Sequence, residues 1–182
     1  MKRSLLLVLL LILPALLYSA VYHSVTVTAF PYFAIPHYKD AIPVRTAGGA
    51  AFSVGLLGIT TDPVDFSVEM HYRGIAPSIP HGHYRLRGFH SLGATLRFST
   101  PLTDSLALFG AAGTEVHSYF AIKESFASFS AEVGLALLLE EQPQSRLEAT
   151  FPIAVHLRKE ITALSVGVGL RYQLYPYRRK SR

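Results

Sequence analysis

The chain has 182 residues, half of them hydrophobic and 16% charged, with a formal net charge of +5. The absence of cysteine excludes both a disulfide framework and a lipid-attached cysteine. Without Lys2 and Arg3 the balance falls to 15 basic against 12 acidic side chains, too weak an excess to suggest nucleic acid as a partner.

Residues 1–20, MKRSLLLVLLLILPALLYSA, open with two basic residues, continue through an apolar run from Leu5 to Leu17, and end on Ser19 and Ala20. That order predicts a cleavable secretory signal peptide. The run is shorter than the ~20 residues a spanning helix needs, and Pro14 interrupts it. No other stretch of 18 or more apolar residues follows, so no transmembrane helix is expected after it.

From there on, apolar and polar residues alternate with a period of two, which is the signature of strands. Eight are expected, at about 24–33, 49–59, 65–74, 87–99, 105–119, 128–140, 146–158 and 161–175. Three connections, Thr60–Pro63, Thr100–Asp104 and Glu141–Ser145, are tight and rich in turn-forming residues. They alternate with longer segments at Ala34–Gly48 and Ile75–Leu86, then with short ones near Ala121–Ala127 and Lys159–Glu160. An up-and-down chain puts the tight turns on one side, and short turns opposite longer loops are a habit of outer-membrane barrels.

Sorting the strands by face gives two unlike sets. One is bulky: Phe66, Val68 and Met70; Leu92 and Leu96; Val133, Leu135 and Leu137; and in the last strand Leu164, Val166, Val168 and Leu170. The other is small or charged: Glu69, His71, Arg73, Arg97, Glu115, His117, Glu132, Glu148, His156, Arg158 and Arg171, separated by Gly, Ala, Ser and Thr. A soluble calyx would put the bulky set inside an eight-stranded barrel, whose interior is just wide enough for side chains to fill. That set would overfill it. A soluble sandwich would carry an outer face rich in Lys, Glu and Asn, which is missing here. The reverse assignment, with bulky residues toward lipid and small or charged ones in the lumen, removes both problems. Lys39, Lys123, Lys159 and Lys180 all fall in connections or the tail, away from a lipid face where one would cost about 2–4 kcal/mol at mid-depth.

On this pattern the chain resembles the small eight-stranded outer-membrane β-barrels of bacteria, the OmpA, OmpX and OmpW-like type, over residues 21–177. The resemblance implies an all-β, up-and-down, antiparallel transmembrane barrel, exported to the bacterial outer membrane. It also implies outer-membrane lipid and the barrel-assembly machinery as partners, and a monomer. Members of the type usually end on an aromatic residue, whereas this chain continues past Tyr177 into a basic tail, 178–182.

The inward acids and bases are equal in number, four of each, which suggests a mutually paired network closing the lumen. The alternative is a narrow channel for ions or small solutes. A lipid-modifying enzyme is a further alternative, but no H-x-S pair or hydrolase triad is found, and no cofactor is implied. A repeated E-x-H, Glu69–His71 and Glu115–His117, offers two Glu and two His inward. Pairing of the acids with arginine explains them without a metal, and none is expected. His37, His81, His83 and His90 fall on the loop side, where a polar Pro/Gly-rich loop is the simpler account. Phe30, Tyr32, Phe33 and Tyr38 at one end, and Tyr172, Tyr175 and Tyr177 at the other, suggest two interfacial aromatic girdles.

Overall fold

The computed structural model describes residues 20–36, 45–61, 63–77, 88–119, 125–159 and 161–176. The expected signal peptide, Ala20 excepted, and the basic tail lie outside the described residues. So do His37, Tyr38, His81, His83 and Tyr177.

Within that range the chain forms β1 (Ala20–Pro36), β2 (Arg45–Thr60), β3 (Asp65–Ile75), β4 (Phe89–Pro101), β5 (Leu106–Tyr119), β6 (Ser125–Gln142), β7 (Ser145–Arg158), β8 (Ile161–Val166) and β9 (Val168–Leu174). Each strand from β1 to β8 pairs antiparallel with its successor, except that β8 runs on into β9. β8 and β9 keep one register against β1 and one against β7, so they are two halves of a single wall position interrupted at Gly167. Because β1 also pairs with β2, the sheet closes on itself as an eight-stranded up-and-down barrel.

Two strands clearly outrun the segments read from sequence: β1 has 17 residues and β6 has 18. Both start earlier than expected, because backbone pairing continues past the apolar belt until a turn residue stops it. At one end, Thr61 closes the β2–β3 turn by donating from N and from Oγ1 to the Val64 carbonyl, at 2.8 and 2.7 Å. Thr103 Oγ1 accepts from Leu106 N at 3.1 Å in the β4–β5 turn. These turns and both described chain ends share one rim, called the turn end below. The opposite rim, the loop end, carries the connections after Pro36, Ile75, Tyr119 and Arg158.

Burial alternates residue by residue, as in β3 (ieBeBeBeBiB), with large apolar groups exposed and polar ones buried. Phe66, Val68, Met70, Leu92, Leu96, Val133, Leu135, Leu137, Leu164, Val166, Val168 and Leu170 all point out of the barrel, Leu96 with 66% of its surface accessible. Water would penalise this surface by roughly 25 cal/mol per Å2, which identifies hydrocarbon as its physical match. The interior is the inverse of a soluble core.

Candidate functional site

Every one of the eleven charged or imidazole residues expected inside projects inward, and the structure divides them into groups along the barrel axis. Toward the loop end, β5 delivers Glu115, whose side chain has no accessible surface. Five side chains converge on its carboxylate. Arg73 Nη1 and Ser91 Oγ donate to Oε2, each at 2.9 Å. His71 Nε2 lies 3.2 Å from Oε2, while His117 Nε2 and His156 Nδ1 lie 3.2 and 3.1 Å from Oε1. The partners come from β3, β4, β5 and β7, so this hub ties opposite walls together. His156 is oriented further by Ser165 Oγ, 3.2 Å from its Nε2.

An aromatic layer covers the hub on its loop side. Phe89 stacks on His117 with ring centres 4.7 Å apart, and Tyr32 lies 5.5 Å from His156. Phe30, Tyr32, Ala34, Ile75, Phe89 and Ala163 form one buried apolar cluster there. Nearer the loop rim, Arg158 donates to Tyr119 Oη and lies over the Phe126 ring at 4.7 Å, apart from the hub.

Toward the turn end a second group has the opposite polarity. Arg171, 1% exposed, sits at its centre. It donates to Glu69 Oε1 and, through Nη2, to Ser24 Oγ at 3.1 Å and Ser67 Oγ at 3.4 Å. Glu69 also accepts from Ser67 at 2.9 Å. Glu148 pairs with Arg146 at 2.7 Å, a partner the sequence reading did not include. Beneath lies a tyrosine floor: Tyr22 and Tyr175 have ring centres 5.5 Å apart, and Tyr175 donates to Gln173 Oε1 at 2.9 Å. The Tyr22 ring occupies the space a side chain at Gly58 would need.

Between the two groups is a cavity of about 60 Å3, lined among others by Thr26, Thr28, Ser130, Arg97, Glu132 and Gly167. Its ion pairs are loose. Glu132 stands 3.9 Å from Arg73 and 3.6 Å from Arg97, beyond hydrogen-bond length. Arg97 is held instead over the Phe109 ring, 3.6 Å from its centre.

The expectation of two aromatic girdles needs correction. Phe30 and Tyr32 are not girdle residues but part of the inner aromatic layer, and Tyr175 is part of the floor, 2% exposed. Each follows the parity of its strand, which overrides its position near a strand end. Tyr172 does face outward. The two E-x-H pairs do not meet as a set: His71 and His117 go to Glu115, whereas Glu69 goes to Arg171. Among the described residues no cluster of three or more His, Asp or Glu has metal-holding geometry. His90 faces out and stacks on Tyr72, 6.1 Å between rings.

No protein-family model matches the chain, and no curated protein sequence matches it. Solved structures do. Neisserial surface protein A superposes with a TM-score of 0.56 at 11% identity, covering 82% of this chain and 95% of that one. The chain has the fold of the small eight-stranded outer-membrane β-barrels. More distant matches are the attachment invasion locus protein of Yersinia pestis (TM-score 0.46, 12% identity, 85% of this chain and 99% of that one) and the N-terminal barrel domain of Pseudomonas aeruginosa OprF (TM-score 0.46, 17% identity, 81% and 96%).

Proposed function

We propose that this chain is an exported outer-membrane barrel with a closed lumen, serving membrane integrity or surface interaction rather than transport. Its outward apolar residues are the lipid contact, and its inward charges are the closure. The observation that carries this reading is the Glu115 hub, an enclosed carboxylate with partners from four strands beneath an aromatic layer. Opening a path there means withdrawing a buried carboxylate from an arginine, three imidazoles and a hydroxyl at once, and breaking a buried pair costs about 3–5 kcal/mol. The barrel is inserted by the barrel-assembly machinery and works as a monomer in outer-membrane lipid.

Two measurements test this. Cell fractionation is expected to leave the protein in carbonate-resistant outer membrane with heat-modifiable gel migration, and release into the soluble fraction would sink the whole reading. Purified protein in planar bilayers is expected to give no discrete conductance steps. Steps that change with Arg97→Ala would establish the narrow channel instead.

A further inference from the structure

The wall itself has one irregular place. In an antiparallel ladder the N–H and C=O of a residue point to the same neighbouring strand, and successive residues alternate sides. Gly167 N donates to Pro152 O at 2.7 Å, so Gly167 faces β7, and Tyr175 N to Gln144 O at 2.9 Å keeps the same parity. Val166 therefore faces β1. The registers on either side of the gap place Pro31 opposite Val166 and Pro152 opposite Gly167. Proline has no N–H to give. Two successive carbonyls, Val166 O to one side and Gly167 O to the other, are thus left without a ladder donor. The strand assignment breaks at the same residue.

This gap lies midway along the β8–β9 wall position, whose outward residues Val166 and Val168 belong to the apolar belt. Lipid chains offer no donor, and an unsatisfied carbonyl in hydrocarbon costs several kcal/mol. The inner side differs. Gly167, Pro152 and Thr28 line the cavity between the two charge groups. The same cavity is lined by Thr26, Ser130 and His71, whose Oγ1, Oγ and Nδ1 atoms are buried and have no hydrogen-bond partner within the protein. A Cβ on residue 167 would come within 2.8 Å of Thr28 Cγ2 and 3.0 Å of Pro152 Cγ, so only glycine leaves the backbone this close to its neighbours.

We propose that the cavity is a site for bound water that reaches the Gly167 backbone, making the Val166–Gly167 stretch a hydrated seam in the middle of the wall. Water suits it chemically. The exposed acceptors and hydroxyls need a ligand that both donates and accepts, and two arginines against two glutamates leave the lining without net charge. Glu132 is held loosely enough from both arginines for a bridging water. The inference rests on the closed-lumen reading, which leaves internal water as the available donor.

Amide hydrogen exchange of the refolded, full-length barrel in detergent micelles, resolved by NMR, tests it. The Gly167 N–H has its bond to Pro152 O but lacks the return bond that Ser165 and Gly169 receive from Ala154 and Thr150, so with water at its carbonyl it is expected to exchange at least about tenfold faster than those two amides and to show magnetisation transfer from water. Pro152→Ala supplies the missing donor and is expected to bring Gly167 within about threefold of those neighbours. Pro31→Ala is a second, independent variant, in which the new amide at position 31 is expected to be protected by Val166 O. Equal protection of Gly167, Ser165 and Gly169 in the unmodified barrel would overturn the proposal, as would unchanged Gly167 exchange in Pro152→Ala. Failure of the closed-lumen reading shows itself separately, as conductance steps.

Discussion

The two charge groups inside this barrel solve one problem with opposite polarities. Toward the loop end an anion, Glu115, is surrounded by an arginine, three imidazoles and a hydroxyl. Toward the turn end a cation, Arg171, is surrounded by a carboxylate and two hydroxyls. The difference lies in what remains when the centre is lost. Deprived of Glu115, Arg73 keeps the distant Glu132 and the uncharged His156 ring, 3.2 Å from its Nη1, and three imidazoles lose their carboxylate. Deprived of Arg171, Glu69 keeps the hydroxyls of Ser67 and Ser53, at 2.9 and 3.4 Å. The anion-centred group is therefore the more brittle.

That contrast sets the order of effects in urea unfolding of the folded barrel. Glu115→Ala is expected to be the most damaging, near about 5 kcal/mol, the upper end of the cost of orphaning a buried charge. Arg171→Met is expected near the lower end, about 3 kcal/mol, because Glu69 stays solvated by hydroxyls. If Arg171→Met proves the costlier of the two, the brittleness argument fails. The smallest effect tests whether the groups are separate at all. Among the described residues the ion pairs that link them run through Glu132, at its long distances from Arg73 and Arg97, so the double variant is expected to deviate from additivity by no more than about 0.5 kcal/mol. A larger coupling would make them a single network.

The wall was more legible in the sequence than the network inside it. Period-two alternation places Leu164, Val166, Val168 and Leu170 on one face and Arg171 on the other with no knowledge of neighbours, because parity is a property of one strand. Which acid meets which base depends on stagger between strands far apart in sequence. Glu69 finds Arg171 across 102 residues of chain, and nothing local encodes that. The E-x-H repeat illustrates the same limit, since identical local patterns on β3 and β5 sit at different heights once the strands are staggered. For Phe30, Tyr32 and Tyr175, residue type and closeness to a strand end point to the rim, but strand parity turns them inward. Pro31 and Pro152 were visible throughout, but their meaning arises only when a closed register sets both against one residue pair.

The same staggering bears on how the barrel is built in time. Arg73, His71, Ser91, Glu115 and His117 belong to β3, β4 and β5, three consecutive strands joined by successive hairpins. Their convergence needs only short chain closures, so it is available to an open sheet before the barrel exists. Arg171 reaches Ser24 across 147 residues, and Tyr175 meets Tyr22 from the far end of the chain. Those contacts wait for β1 to find β9. The β3–β5 part of the hub can then form early, with His156 joining from β7, and the Arg171 group is a latch closed by the last strand to arrive.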